Sequence, residues 1–344
     1  MKKPTSRDVA NLAGVSPSTV SFVLNDRKDI SISDGTRLKV LDAAKQLNYT
    51  PNQFARGLKT NQSKLIGLII PTITNPYYPM LTQSIEEYAA SSGYNILLCN
   101  TYRKVENEEF YLNLLTNKSV DGIIYGFTPN YPQIACKISS SIPVVIIGEK
   151  DDTVKISTVA LNSFMAGEMI GQHLISLGHK NIAFITSPLE GMSLSRQKRL
   201  HGIKSKLKEY NLEKNLVIKA ESYENESNDS TYEIEIGYNL TSTLIKETKV
   251  TAVIGVNDMV AFGALNAINN MQLKVPEDIS VCGFDNIYLS KVIRPGITTV
   301  DHLTFHRSKL AIDILINRMG NGDEDVYRVE YEPRLIVRES TGPV

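Results

Sequence analysis

The sequence has no long apolar run, because none of its apolar stretches reaches the roughly 18 residues that a membrane-spanning helix needs. The N-terminus, MKKPTSRDVA, has two lysines but no apolar stretch after them, which argues against a secretory signal. Cysteine is scarce too: Cys99, Cys136 and Cys282 lie in or beside apolar runs, and their spacing fits no metal site. Three such cysteines are typical of buried small side chains in a reducing compartment. We therefore expect a cytoplasmic protein.

Motifs of common enzymes are missing as well. The chain contains no P-loop, HExxH, GxSxG or CxxC motif and no convincing GxGxxG. His302 and His306 have i,i+4 spacing, but no third ligand accompanies them, so we interpret the pair as incidental. An enzyme would need an arranged nucleophile, base or metal. We expect neither catalysis nor a bound cofactor or metal.

Charge is distributed unevenly although the net charge is zero. Residues 1–62 contain ten Lys and Arg against five Asp and Glu, so this head carries +5 and the remainder −5. A basic head on an acidic body suggests a polyanionic partner such as DNA, although an ordinary lysine-rich surface would give the same balance.

After residue 62 short runs rich in Ile and Val alternate with amphipathic stretches. Near-continuous apolar runs predict strands buried on both faces, and a strand–helix rhythm predicts parallel sheets. So many repeats favour two doubly wound halves with a ligand cleft beyond the carboxyl ends of the strands. An acidic patch at 221–235 is interpreted as an exposed loop. The predicted strands are 64–71, 94–100, 121–127, 143–148, 181–186, 251–256 and 279–284; the predicted helices are 80–92, 107–117, 165–177, 199–210, 236–246 and 259–271.

The head has the pattern of a helix-turn-helix. Gly14 suits a tight turn, Ser16 has the position of an N-cap, and Pro17 follows at the first helical position. Such a pair of helices can place the second one in the major groove. We expect Val20, Val23 and Leu24 to pack inward from the second helix, and Leu38, Leu41, Ala44 and Leu47 to share one side of a third helix over 33–47.

These residues carry a specific resemblance. DVANLAGVSPSTVSFVLN resembles the DNA-binding head of the lactose-repressor (LacI/GalR) family of bacterial transcription regulators. LNYTPNQFARGLKT resembles the family's hinge, and IIPTITNPYYPML, RQKRLHGI, VNDMVAFGAL, ISVCGFDN and RPGITTV resemble successive motifs of its effector domain. The resemblance implies an all-α helix-turn-helix DNA-binding head (1–50), a hinge (51–62) and an α/β periplasmic-binding-protein-like domain (63–344). That domain would have two doubly wound parallel-sheet lobes, an N-lobe (63–161 and 291–322) and a C-lobe (162–290 and 323–344).

The resemblance also implies DNA-binding residues. Pro17, Ser18 and Phe22 match positions that read base edges, and Ser16, Thr19 and Ser21 match positions that contact phosphates. Phe22 stands where the family usually has arginine, so the operator sequence stays open. In the hinge, Leu58 matches a leucine wedged into a minor-groove step, although it could instead pack on a dimer partner; Asn52, Ala55 and Arg56 would lie nearby.

Effector-binding residues follow from the same resemblance. Asn75, Tyr77, Tyr78, Ser195, Arg199, Asn257 and Asp285 are expected to line the cleft. Either tyrosine could instead be core, and Arg199 could be a surface ion pair. The acidic insertion leaves open whether Tyr223 or Tyr232 supplies an aromatic wall; Tyr223 is our prediction. Asn162 departs from the usual aspartate, and DHLTFHRSK lacks the usual proline.

The expected function is a homodimeric DNA-binding regulator, most simply a repressor. Its partners would be double-stranded operator DNA and a small molecule between the lobes, a sugar or sugar phosphate because these are common in the family. A nucleobase effector and a global catabolite-type regulator that answers to a phosphorylated protein partner are the alternatives. A transport protein would need a signal peptide where the helix-turn-helix stands.

Overall fold

The structure is a computed structural model that describes residues 4–25, 30–49, 62–118, 120–151, 153–189, 193–222, 229–321 and 325–344. The chain divides into two compact units, residues 1–63 and 64–344. Within the described ranges, no helix is both long enough and apolar enough to cross a membrane.

In its described residues, 4–25, 30–49 and 62–63, the first unit contains three helices, α1 (Ser6–Ala13), α2 (Pro17–Leu24) and α3 (Asp34–Gln46). Gly14 ends α1 with φ 67°, the left-handed conformation that a side chain would disfavour, and so allows the sharp turn into α2. The three helices enclose a small core made by Val9, Ala10, Val20, Val23, Val40, Ala43 and Ala44.

The prediction for the inner face of α3 was wrong in part. Leu38 is 61% exposed and Leu41 is 45% exposed, whereas Val40, Ala43 and Ala44 are buried. The buried residues have i,i+3,i+4 spacing, and the two alanines present little bulk toward α1 and α2. Small side chains allow such short helices to pack closely. The close approach of the helices therefore determines which face of α3 is buried, rather than the size of the leucine side chains.

The second unit alternates strands and helices, as the apolar pattern predicted. Its elements in chain order are β1 (Leu65–Ile70), α4 (Tyr77–Ser91), β2 (Asn95–Asn100), α5 (Val105–Asn117), β3 (Gly122–Tyr125), α6 (Pro132–Ser139), β4 (Val144–Gly148), β5 (Ser157–Leu161), α7 (Ser163–Ser176), β6 (Ile182–Thr186), α8 (Leu194–Glu209), a 3₁₀ turn (Glu213–Asn215), β7 (Leu216–Ala220), α9 (Tyr232–Glu247), β8 (Ala252–Gly255), α10 (Asp258–Asn270), β9 (Ser280–Cys282), α11 (Leu289–Val292), β10 (Thr299–Asp301), α12 (Thr304–Asn321), β11 (Arg328–Tyr331) and β12 (Arg334–Ile336).

These elements form two lobes. The N-lobe sheet has the order β11-β5-β4-β3-β1-β2, and the C-lobe sheet has the order β7-β6-β8-β9. Neighbouring strands are parallel throughout both sheets. The predicted class, a helical head followed by two parallel α/β lobes, is confirmed.

The lobes exchange chain segments at different points from those expected. Strand β11 pairs with β5 and therefore belongs to the N-lobe, although 323–344 was expected in the C-lobe. Strand β10 is bridged to the C-lobe segment at Cys282 and Asp285 and pairs with β12. The chain thus crosses between lobes after β5, after β10 and after β11. Because the crossing segments are short, their composition gave no boundary signal.

Two glycines let α7 and α8 approach closely in the C-lobe. A Cβ built on Gly167 would lie 2.0 Å from the carbonyl oxygen of Arg199, and one on Gly202 would lie 2.0 Å from that of Phe164. No side chain fits at these crossings. This contact fixes the backbone from which Arg199 extends.

Candidate functional site

Helix α2 begins with the cap that the sequence predicted. Ser16 Oγ accepts a hydrogen bond from the backbone N–H of Thr19 at 3.1 Å, and it lies 2.9 Å from Thr19 Oγ1. Val20 and Val23 are buried. Ser16, Pro17, Ser18 and Ser21 are exposed, and Thr19 and Phe22 are half-buried. The polar face of α2 is therefore free to meet another molecule, while its apolar face is committed to the core.

The hinge predictions cannot be placed. Asn52, Ala55, Arg56 and Leu58 lie outside the described residues, as does Tyr223. Their proposed roles stay predictions.

A cavity of about 500 Å³ lies between the lobes of the second unit. Strand ends from both sheets reach it, as expected for parallel sheets. The structure brings seven predicted residues to this one cavity: Asn75, Tyr77, Tyr78, Ser195, Arg199, Asn257 and Asp285.

The N-lobe wall is formed by the start of α4. Asn75 Oδ1 accepts from the N–H of Tyr77 at 3.0 Å and so shapes this turn. The rings of Tyr77 and Tyr78 meet edge to face with centroids 5.1 Å apart. Burial raises the pKa of Tyr78 to about 12, although Arg103 acts to lower it, and burial also raises the pKa of Tyr77, although Arg307 acts to lower it. Both phenols therefore stay neutral and can donate hydrogen bonds.

The C-lobe wall contains a buried charged cluster. Arg199 donates to Val256 O at 2.7 Å and to Asp285 Oδ1 at 3.4 Å, and its Nη2 lies 3.2 Å from His302 Nε2. Its guanidinium also lies over the Phe284 ring, 4.8 Å from the centroid. Arg199 is therefore not a surface ion pair but a buried donor held rigidly at the cavity.

Burial controls the protonation of this cluster. It raises the pKa of Asp285 to about 6, although Arg199 lowers it. Burial, with repulsion from Arg199 and Arg307, holds the pKa of His302 well below its usual value, so this imidazole is neutral. Asp285 also has φ 111°, and its N–H donates to Val300 O at 3.0 Å. A non-glycine residue held in that strained region is often found at a ligand site.

Asn257 has a second task besides lining the cavity. Its Oδ1 accepts from the N–H of Val260 at 2.9 Å and caps α10. The following residue, Asp258, has a structural role. It is buried and accepts from Ser290, Thr299 and the N–H of Ile287, which ties α10 to the segment that follows Asp285.

A polar contact between the lobes was missed. Glu233, at the start of α9 in the C-lobe, accepts from Asn75 Nδ2 at 2.8 Å, Arg103 at 3.2 Å and Arg196 at 2.8 Å. Burial acts to raise its pKa, but Arg103 and Arg196 hold it below the usual value. Asn75 and Arg103 belong to the N-lobe, so one carboxylate joins both lobes.

Glu233 contradicts the interpretation of 221–235 as an exposed loop. The segment from Tyr232 onward is helical, and the Glu233 side chain is only 13% exposed. Low complexity and acidity concealed the start of α9; the helical i,i+4 spacing of Tyr232, Ile236 and Leu240 was the signal for it. Tyr232 is half-buried against the core and does not belong to the residues that line the cavity.

Further charged residues at the cavity were also missed. Glu149, which follows β4, lines the cavity; its carboxylate lies 3.1 Å from Lys198 Nζ of α8 and accepts from Ser163 Oγ. Arg307 of α12 lines the cavity beside Tyr77. His306, the partner of His302 in the i,i+4 pair, is exposed and contacts the Phe305 ring, so the two histidines do not form one site.

Comparison with known proteins agrees with this architecture. Residues 5–52 match the model of bacterial regulatory proteins of the lacI family, and 172–341 match a periplasmic binding protein-like domain. The HTH-type transcriptional repressor PurR of Mannheimia succiniciproducens is 33% identical over 98% of both chains.

Solved structures give the same result. The lac repressor dimer bound to operator and the anti-inducer ONPF is 27% identical, with a TM-score of 0.82 over 99% of this chain and 100% of that one. A LacI family regulator from Enterococcus faecium with bound ribose is 27% identical, with a TM-score of 0.71 over 81% of this chain and 99% of that one.

The helical head and the two-lobed unit with its cavity define a class, the DNA-binding transcriptional regulators that join a helix-turn-helix to a periplasmic-binding-like domain. Within it, the chain belongs to the lacI family of bacterial regulatory proteins and is a DNA-binding transcriptional repressor of that family.

Proposed function

We propose that this repressor binds a pseudo-palindromic operator as a homodimer and that a sugar or sugar phosphate in the interlobe cavity sets its operator affinity. The observation that carries the proposal is the buried Arg199–Asp285–His302 cluster at the cavity wall, on the same chain as an exposed recognition helix. Two-fold symmetry doubles the contacts of each head and accounts for a dimer.

On the DNA side, Pro17, Ser18 and Phe22 read bases, while Ser16, Thr19 and Ser21 contact phosphates. The exposed α2 face supports this assignment. The hinge, with Asn52, Ala55, Arg56 and Leu58, would enter the minor groove.

Selection of bound sequences from a random DNA pool tests the assignment on DNA. The wild-type chain is expected to select inverted repeats, and Phe22→Arg is expected to gain a guanine at one position of each half-site, because arginine binds guanine bidentately. Identical selected sequences for both proteins would remove Phe22 from the base-reading set.

On the effector side, a hydroxylated ligand matches the donors and acceptors of the cavity. Arg199 offers charged donors, Asp285 an acceptor, and the two tyrosines apolar faces with hydroxyls. The ribose-bound Enterococcus faecium relative supports a sugar. A nucleobase is the second candidate, favoured by the two tyrosine rings, which suit the plane of a base.

Thermal melting with ribose, glucose, their phosphates and nucleobases tests the effector class, because a ligand of the native state raises Tm. The Arg199→Met variant is expected to lose the shift and still bind DNA without effector. Arg294→Met, an exposed arginine outside the cavity, is the control. A shift that Arg199→Met retains would place the effector elsewhere. If no compound raises Tm while the protein still binds DNA, the result would favour a protein partner as the effector.

A further inference from the structure

Arg307 is a buried cation at the cavity whose role the sequence did not suggest. It belongs to α12, is 3% exposed, and its guanidinium reaches the ends of two N-lobe strands. It donates to Gly148 O at 3.3 Å, to Val159 O at 3.1 Å and to Tyr77 Oη at 3.5 Å. All three acceptors are neutral.

The other cations of this region each have a carboxylate partner. Arg103 and Arg196 share Glu233, Arg199 pairs with Asp285, and Lys198 pairs with Glu149. Arg307 differs, because no described carboxylate lies within ion-pair distance of it. In the described part of the chain its Nε also has no hydrogen-bond acceptor. A buried charge without a counter-charge is unfavourable, so such groups in proteins are normally paired.

Groups near Arg307 do not supply the missing negative charge. Tyr77 Oη is a neutral phenol, and the neutral His302 ring lies 5.3 Å from the Tyr77 ring. Burial, with repulsion from Arg199 and Arg307, holds the pKa of His302 below its usual value, so this ring carries no charge. The corner therefore suits an oxyanion that accepts from Arg307 and from the Tyr77 hydroxyl.

We propose that the effector carries an oxyanion, a phosphate or a carboxylate, and that Arg307 binds it in the N-lobe corner of the cavity beside Tyr77. This inference rests on the proposed function, in which the cavity holds the effector. It narrows the effector class to anionic derivatives, since the neutral parent would leave Arg307 unpaired.

The test compares matched ligands on the full-length protein. Calorimetry and thermal melting are run with ribose and ribose 5-phosphate, glucose and glucose 6-phosphate, glucose and gluconate, and inorganic phosphate at matched ionic strength. We expect at least one anionic member to bind about tenfold tighter than its neutral parent, because a charge-assisted hydrogen bond has about this value. Phosphorylated and carboxylated members separate the two sources of the oxyanion.

Three variants assign the effect to Arg307. Arg307→Met is expected to reduce the anion preference to about twofold or less and to abolish stabilisation by inorganic phosphate. Arg307→Lys keeps the charge and is expected to keep part of the preference. Lys309→Met removes an exposed cation of the same helix and is expected to change nothing. If the methionine variant does not fold, the lysine variant carries the comparison, since it keeps the positive charge but lacks the planar set of five donors.

The outcomes separate this inference from the proposed function. Equal binding of neutral and anionic members, or a preference that survives in Arg307→Met, would overturn the oxyanion site and leave the cavity as the effector site. No binding of any sugar, sugar derivative or phosphate would overturn both.

Discussion

Asp258 is a buried carboxylate that connects segments of the second unit by hydrogen bonds. Its ionisation lowers the stability of the folded protein by an amount that depends on pH. Its oxygens accept from Ser290 Oγ at 2.6 Å, Thr299 Oγ1 at 2.6 Å and the N–H of Ile287 at 3.1 Å. Burial, and then the charge of Asp285, raise its pKa to about 7, although the three hydrogen bonds act to lower it. The ionised form is therefore disfavoured in the folded protein.

Asp258→Asn should reveal this cost. The folded pKa lies above the unfolded value, so Asp258 destabilises the wild type above pH 7, and this penalty disappears as the pH falls toward 4. The unfolding free energy of the wild type minus that of the variant is expected to fall by roughly 2–4 kcal/mol as pH rises through this window. Urea denaturation at several pH values measures it, and histidine titrations cancel in the difference. A pH-independent difference would contradict the assignment.

At the residue scale, the sequence predicted those cavity residues that reach the cavity because they follow a strand of a parallel sheet. Asn75, Asn257 and Asp285 lie in the segments that follow β1, β8 and β9, so strand topology brings them together. Glu233 and Arg307 come from helices, and their inward direction depends on how each helix packs. No local pattern encodes that direction, which is why Glu233 and Arg307 were missed.

At the scale of the element, the stability of α2 depends on its N-cap residue, Ser16. Ser16 caps a helix of eight residues, too short to be stable without tertiary support. Ser16 and Thr19 are also proposed to contact DNA phosphates, so the first turn of α2 combines the helix cap with the DNA contact.

Ser16→Ala should destabilise α2 by about 1 kcal/mol because an N–H at the helix start loses its acceptor. Ser16→Asp should retain the cap, and Ser21→Ala, at an exposed position within the helix, should leave stability unchanged. Hydrogen exchange of the α2 amides in the full-length chain measures the effect. Equal protection in Ser16→Ala and wild type would show that the cap is dispensable.

A second prediction at this scale concerns Gly167, at the crossing of α7 and α8. Gly167→Ala should destabilise the second unit by about 1–3 kcal/mol and weaken effector binding, since the new methyl group would displace the backbone of Arg199. Gly320→Ala is the control, because a Cβ there meets no atom within 4 Å and alanine favours helix. Chemical denaturation measures the free energy of unfolding of both variants. Equal values would show that the crossing tolerates a methyl group.

The apolar pattern predicted β1 to β4, β6, β8 and β9, but it missed other strands, β5 and β7 among them. Strand β5, Ser157–Leu161, contains only small and branched side chains, and β7 is half-buried along its length, so neither gave a distinct apolar run. Their places in the sheets come from tertiary pairing.

At the scale of the whole molecule, Glu233 links the lobes through Asn75 and Arg103. Replacing it leaves Arg196 and Arg103 without this counter-charge, which is costly for buried groups. The link therefore favours closed lobes before any effector arrives.

Glu233→Gln should open the lobes, with a larger radius of gyration in solution scattering and faster hydrogen exchange at the start of α9. It should also lower stability by about 2–4 kcal/mol. Glu247→Gln, on the same helix but paired at the surface with Lys219, should change neither measurement. Unchanged scattering and exchange in Glu233→Gln would show that packing alone keeps the lobes together.

The three crossings between lobes also have a consequence for synthesis on the ribosome. The N-lobe sheet needs β11, and the C-lobe needs the hydrogen bond from Val281 N–H to Ser340 O, so both lobes are completed by segments that are translated after most of each lobe. Until β11 emerges, β5 presents an open strand edge, a surface prone to pairing with other chains. The nascent chain is therefore most in need of chaperone protection between translation of β5 and of β11, long after most of its N-lobe has been made.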